Sequence, residues 1–431
     1  MSTRRQFTHL GAILLVFALC LLVAGTTFAT QKKVITFWSW SPVKSTTDKM
    51  VAAFESTHPD IEVKATIYNY PDYLMALKSA AASGSLPDIV GLEPGAMVQE
   101  YQKFLIPLQS YAKKSWGADW QSKFYPIGIE QARLGNVASD PNFYMLPMEL
   151  QTTNLWYNRP MFEKYGLEPP KTWEELRKVA AVLNKNRIAP MLQGGADGWQ
   201  NIDVYMMIAQ QTAPGVIYKA ELGQASFADP GLVNAMKIWK SLFDEKIIQP
   251  GALGLHVYPN AATLFESGKG GMISLGSWHM QVAKFTPPIE LAKGMEGFGA
   301  FLFPDVTGDG KPSNPLGGID IGLGITTNAT DKELAWEVVK DFIAGQGIQA
   351  AINDFNDLPA VKGVVPKTFT SEHEKDLWNL FTKEWLPKVT ARQLRSPQVR
   401  QGLMDALAAV ASGQKTPEKA MEDLQNTVKG K

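Results

Sequence analysis

The side chains with the means to do covalent chemistry in this sequence are few and scattered. Glu93, Glu149 and Asp320 are carboxyls in mostly apolar or glycine-rich surroundings. Two carboxyls facing each other across a bond are what glycoside hydrolysis requires, but nothing in their spacing pairs these three. His256 and His279 stand apart from any Glu or His at metal-binding spacing and read as ordinary surface or core histidines. No Gly-x-Ser-x-Gly elbow, His-Glu-x-x-His helix or phosphate-cradling Gly-Lys-Ser/Thr loop occurs. The expectation is a protein with no catalytic centre, no cofactor and no metal.

The elements that would position polar groups are of two kinds. Residues 34–38 are a β-branched and aromatic run, the pattern of a buried strand. Ser45-Thr46-Thr47 is placed to cap a helix running to about Glu55. Residues 61–67 alternate apolar and polar side chains as a second strand. Pro71 suits the first turn of the next helix, which stops at Gly84, and Pro87-Asp88-Ile89-Val90 begins a third strand. Strand, helix, strand, helix, strand implies right-handed crossovers and a parallel sheet.

A second start follows near Tyr144, with residues 145–157 extended. Thr172-Trp173-Glu174-Glu175 is a capping box for a helix to about Asn186. Asp229-Pro230 caps another, in which Val233, Met236, Trp239, Leu242 and Phe243 follow helical spacing. Pro259 opens a further helix, residues 271–275 form a short buried strand, and a late strand over 319–325 precedes a helix over 331–343. The chain is α/β throughout, with material for two sheets, and its 431 residues exceed one ordinary core.

Composition narrows the partners. The 42 basic and 42 acidic residues cancel, and no Lys or Arg run makes a local basic field, so nucleic acid is not expected. Arg4 and Arg5 precede an apolar stretch over 10–24 and the small-residue site Thr27-Phe28-Ala29, a signal peptide cleaved near Ala29. The stretch is shorter than the ~20 residues of a spanning helix. Residues 3–7 also resemble a twin-arginine export motif, and the export route stays open. Cys20, the only cysteine, lies in this segment behind Leu19, which does not suit lipidation, and a periplasmic location follows.

The order of short motifs resembles the family 1 extracellular solute-binding proteins of ABC importers, the group that includes maltose-binding proteins. Ile35-Thr36-Phe37-Trp38-Ser39-Trp40 comes first, then His58 to Val63, then Ala82-Ser83-Gly84-Ser85-Leu86-Pro87-Asp88-Ile89-Val90. Leu146-Pro147, Leu155-Trp156-Tyr157-Asn158, Phe162, Gly166-Leu167 and Pro169-Pro170-Lys171-Thr172-Trp173 form the most specific block. Leu264 to Lys269, Met272, Gly276-Ser277-Trp278, Gly317-Gly318 and Ala335-Trp336 complete the order. The resemblance implies a two-lobed periplasmic-binding-protein fold of class II type, two α/β lobes joined by crossing hinge strands. Lobe one would hold 30–145 and 320–357, and lobe two 146–319 and 358–431. It further implies a monomer that takes a carbohydrate into the interlobe cleft and passes it to ABC permease subunits.

A sugar offers an apolar C–H face and a rim of hydroxyls, so its site needs flat aromatic surfaces beside carboxylates or amides. Trp278 holds the position of the family's stacking tryptophan; its alternative is a wedge in the core of lobe two. Gln151 stands where the family often has an acid, or is an exposed strand residue. Trp40 and Ser41 end the first strand, where α/β sheets expose ligand-binding loops; Trp40 is assigned to the cleft and Trp38 to the core, and the two are interchangeable. Glu93 follows the third strand in the same way, as a hydroxyl acceptor or a solvated loop acid. Trp199, in a glycine-rich loop, is a second platform or a ring folded back on the core. Asp320 is a ligand acceptor or an interlobe hydrogen-bonding group. Polyamine, glycerol-phosphate and secreted hydrolase readings remain as alternatives.

Overall fold

The computed structural model describes residues 32–136, 140–285 and 294–429. The expected export segment, with Cys20, lies outside them. Among the described residues ten strands follow one another as β1 (Lys33–Ser39), β2 (Ile61–Ile67), β3 (Ile89–Leu92), β4 (Leu146–Asn158), β5 (Ala189–Leu192), β6 (Gly270–Gly276), β7 (Phe298–Phe301), β8 (Leu316–Ile325), β9 (Leu358–Pro359) and β10 (Thr390–Ala391). The alternating run 61–67 is a strand with the expected bounds, and β1 pairs in parallel with both β2 and β3.

The material for two sheets is joined into one hydrogen-bonded path, β2-β1-β3-β8-β4-β6-β5. Its centre is the antiparallel pair β4 and β8, of 13 and 10 residues, buried along almost their whole length. These strands are long enough to serve β3 on one side and β6 on the other. Strands buried on both faces read as continuous apolar runs rather than alternating ones, and Leu316–Ile325 has that character except at Asp320. Gly318 sits in β8 at a φ of 119°, and a side chain there would collide with Gln131. The Gln131 amide uses the space to accept from the Ile319 N–H and donate to the Gly317 carbonyl.

Two apolar clusters flank this centre. One contains Phe37, Phe54, Leu92, Ile321, Trp336 and Phe342 and extends to Phe265 and Phe298. The other gathers Met161, Leu183, Met207, Trp239 and Leu407. Thr172 accepts from the Glu175 N–H as the capping box required, and Asp229 caps Pro230–Asp244. Tyr205, Met206 and Met207 are buried in the second cluster, and Asn158 caps the helix Arg159–Tyr165, consistent with scaffold roles.

Two helix starts differ from expectation. The helix Lys44–Thr57 begins after Val43, so Thr46 and Thr47 lie inside it rather than capping it. Their hydroxyls bond elsewhere, Thr46 to the Asp354 carboxylate and Thr47 to the Pro42 carbonyl. Pro259 falls in an irregular turn over 257–261 in which Tyr258 is extended, and the regular helix starts at Ala262. No helix among the described residues is long and apolar enough to cross a membrane.

Candidate functional site

The carboxyl end of β3 and the carboxyl end of β6 approach each other across the β8–β4 centre, and side chains from both meet there. Trp278 follows β6 by two residues. Its ring lies over Gly276, where any Cβ would strike it, and its indole N–H donates to the Tyr258 hydroxyl at 2.8 Å. The irregular turn over 257–261 is what presents that hydroxyl. Trp199 opens the helix Trp199–Thr212 directly after Gly198, whose φ of 71° turns the chain into it. The two indoles stand 6.1 Å apart at 65°.

Arg392 lies beside both rings, its guanidinium carbon 5.4 Å from the Trp199 centroid and 5.9 Å from that of Trp278. At such distances a cation is attracted to the ring face. Its Nε donates to Asp203 at 2.7 Å, and Asp203 sits four residues after Trp199, on the same helix face. A second guanidinium, Arg400, reaches Glu93 at 3.2 Å and donates to the Tyr70 hydroxyl at 3.2 Å. Tyr70 in turn donates to Glu93 at 2.6 Å, and Arg392 stands 3.7 Å from the other Glu93 oxygen. Glu93 belongs to the β3 side of the molecule, whereas Arg392, Arg400 and Asp203 come from the segments packed beyond β8. The ion cluster therefore spans the approach.

These charges are almost fully buried, which sets their behaviour. Burial works against the charge on Arg392 and Arg400, but Asp203 and Glu93 beside the first, and Tyr70 and Glu93 beside the second, more than offset it. Burial raises Asp203 above the usual carboxylate range while Arg392 holds it down. Asp320, on β8, is pushed to about 7 by burial, with Arg392 opposing and Glu93 and Asp203 adding repulsion. Trp199, Asp203, Arg392, Gln393 and Arg400 line a cavity of about 10 Å³ together with Ile202 and Leu394. Small-molecule sites usually enclose ~300–1,000 Å³, so the walls stand nearly in contact.

Of the residues expected from sequence, Trp199, Trp278, Glu93 and Asp320 converge on Arg392. Trp40 joins through its contacts with Tyr70 and Tyr73, at 5.4 and 5.3 Å between rings. Trp38 packs edge-on against Tyr68 and is only partly buried, not a core residue. Ser41 accepts from Asn356 at 3.3 Å, and Asn356 also donates to Glu149 at 2.7 Å. Gln151 is fully buried on β4 opposite Gly318 rather than exposed; its carbonyl accepts from Thr153, and its amide nitrogen has no partner among the described residues. Glu93 is not a solvated loop acid, because it accepts from Tyr70 and faces two guanidiniums.

Arg392, Arg400, Asp203, Tyr70 and Tyr258, which the structure brings to the same place, were not expected from the sequence, and the region carries more charge than the aromatic and amide character expected of the cleft. Asp203 alone left a signal, an acid within the apolar run Ile202 to Ile208 and in phase with Trp199. His256 is bonded to Asp197, and His279 is buried with burial lowering it to about 3. Among the described residues no group of three or more His, Cys, Asp or Glu is arranged to hold a metal ion.

An α/β chain whose two halves meet across a pair of long crossing strands, with aromatic and charged groups between them, has the two-lobed binding-protein fold. Residues 38–350 match the model of the bacterial extracellular solute-binding proteins, and the chain belongs to that family. It is 24% identical over 332 residues to the multiple sugar-binding protein of Streptococcus mutans, covering 74% of this chain and 73% of that one. Among solved structures it superposes on a chitin oligosaccharide binding protein with a TM-score of 0.77 and 25% identity, covering 93% and 99% of the two chains. The maltose/maltodextrin-binding domain from Bdellovibrio bacteriovorus, bound to maltotriose, gives 0.72 at 19% identity, covering 92% and 99%.

Proposed function

We propose that this chain is the periplasmic receptor of an ABC importer, capturing a sugar or oligosaccharide in the cleft and delivering it unaltered to the membrane permease. The observation that carries the reading is the pair of indoles, Trp199 and Trp278, set 6.1 Å apart beside buried carboxyls and guanidiniums. Aromatic faces take the C–H side of a sugar ring, and charged hydrogen-bonding groups take its hydroxyls. The sugar-binding relatives support that ligand class. Export with cleavage near Ala29, a monomeric state, and lobes of 30–145 with 320–357 and 146–319 with 358–431 belong to the same proposal.

A thermal-shift screen tests it. A ligand bound only by the native state raises the midpoint, by about 2.7 kcal/mol of stability at a hundredfold excess over Kd. Neutral mono- and oligosaccharides, polyamines and glycerol phosphate form the panel. A shift with a sugar that is recovered chemically intact after prolonged incubation agrees with the reading. A shift confined to glycerol phosphate, or cleavage of the sugar, contradicts it.

A further inference from the structure

Two turns of the proposed site carry the same pair of residues in mirrored order, Trp40-Ser41 after β1 and Ser277-Trp278 after β6. Both serines are tied to one dipeptide, Asn356-Asp357, which immediately precedes β9 and ends at the last proposed lobe boundary. The Asn356 amide donates to the Ser41 hydroxyl at 3.3 Å and to Glu149 of β4 at 2.7 Å. Asp357 accepts at one oxygen from the Ser277 hydroxyl and from the Leu358 N–H, the latter at 2.9 Å. Two neighbouring residues thus reach in two directions, one to each tryptophan-bearing turn.

Each connection is short and built into fixed backbone. The Ser277 N–H donates to the Thr152 carbonyl at 2.9 Å, and the Ser277 hydroxyl accepts from the Thr152 N–H at 3.0 Å. The serine thereby carries the β4–β6 pairing one step past Thr153 and Gly276. The Trp278 ring lies over Gly276, so the pitch of the indole follows the pitch of this turn. On the other side, the Ser39 hydroxyl donates to the Ser41 carbonyl at 2.6 Å and accepts from the Ser41 N–H at 3.3 Å, closing the turn beside Trp40. The dipeptide is itself anchored, because Leu358 and Pro359 pair with Leu150 and Glu149 of β4. Asn356, Asp357 and Ser277 are buried, where a hydrogen bond meets little competition from water and is costly to lose. Apolar side chains could fill the same space, but they would not fix direction and distance as these bonds do.

Resting on the sugar reading, we infer that Asn356 and Asp357 are positioning residues that yoke the Trp40 turn of one proposed lobe to the Trp278 turn of the other. Rotation about the crossing strands then carries both indoles together. The solute meets platforms whose relation is preset, and less binding energy goes into ordering them. The action of the dipeptide on the solute is indirect, through Ser41 and Ser277.

Two measurements on the mature chain, with each variant verified as folded by circular dichroism, test the yoke. The first is fluorine NMR of the ligand-free chain labelled with fluorotryptophan, the Trp40 and Trp278 resonances being assigned from Trp40→Phe and Trp278→Phe. Ser277→Ala should move the distant Trp40 resonance, and Asn356→Ala should move that of Trp278. The second is titration with the tightest sugar of the screen. Ser277→Ala and Asn356→Ala should each weaken binding about tenfold, with little further loss when combined, because either change breaks the yoke. Asp357→Asn, which keeps an acceptor for Ser277 and Leu358, should retain most of the affinity that Asp357→Ala loses; Ser277→Ala serves alone if Asp357→Ala does not fold. A purely structural role would lower the melting midpoint yet leave the far resonance and the affinity in place. That result overturns the yoke, as do losses that multiply in the double variant. If the wild-type chain takes no sugar, the sugar reading fails and the resonances decide the yoke by themselves.

Discussion

Trp278 and Arg392 are neighbours in the proposed site, and each constrains what the other can do there. The guanidinium covers part of the indole face that a sugar ring would use, while Asp203 holds it there. A solute stacked on Trp278 thus has Arg392 as a neighbour whose donors are within reach of its hydroxyls. Trp278→Ala should weaken the tightest sugar by at least tenfold, ~1.4 kcal/mol, which is of the size aromatic contacts supply. The ring is only partly buried, so the ligand-free melting midpoint should move little. Unchanged affinity in a titration would remove Trp278 from the site. Trp278, Trp199, Glu93 and Asp320 were legible because an aromatic in a turn, or an acid in an apolar strand, is conspicuous in one dimension. Arg392 and Arg400 were not. A lone arginine in a polar segment looks solvated until its distant partner in the chain, here Glu93, is seen beside it.

Strands and the caps at Thr172 and Asp229 were well located by local pattern, and two other helix starts and the strand connections less well. Residues 61–67 and the Thr172 box needed only local information, namely alternation of side chains and a reciprocal hydrogen-bond pair. Thr46 and Thr47 were misplaced because their hydroxyls answer Asp354 and Pro42, which no local pattern reveals. Continuity of the sheet through β4 and β8 was hidden for the same reason: strand length shows, pairing does not. The crossing strands carry a testable electrostatic consequence. Burial, with repulsion from Asp320, pushes Glu149 up to about 8 from its ordinary 4.5, and burial pushes Asp320 to about 7 from 3.8. Because the folded values are raised, these groups stabilise the fold most fully below their ordinary values, and the contribution is lost as pH rises toward 8. The ligand-free midpoint should therefore fall between about pH 5 and pH 8, since every tenfold difference in proton affinity between folded and unfolded chain is worth about 1.4 kcal/mol. Glu149→Gln should flatten that slope. A midpoint that is level or rises over the same range in the wild-type chain would contradict the burial assigned to these acids.

Across the full chain, the ion cluster links the half that ends in β3 with the half that carries Trp199 and Trp278. Binding proteins of this architecture work by shifting an open–closed equilibrium, and only contacts made in one state bias it. Glu93 meets Arg392 and Arg400 across the two halves, and we propose that these contacts favour the closed state. Removing one member of a buried ion pair costs about 3–5 kcal/mol. Glu93→Gln should therefore enlarge the ligand-free radius of gyration by small-angle scattering and weaken sugar binding by tenfold or more. An unchanged radius with unchanged affinity would show that the cluster holds nothing together.

The position of the bound solute is the most direct test of a sugar stacked on the indole pair. A crystal structure of the chain with the tightest sugar from the screen should place one ring against the Trp278 or Trp199 indole, within about 4.5 Å of its carbons. Its hydroxyls should then be within hydrogen-bonding distance of Arg392 or Asp320. A sugar bound on the outer surface, or in the cleft but away from both indoles, would contradict it.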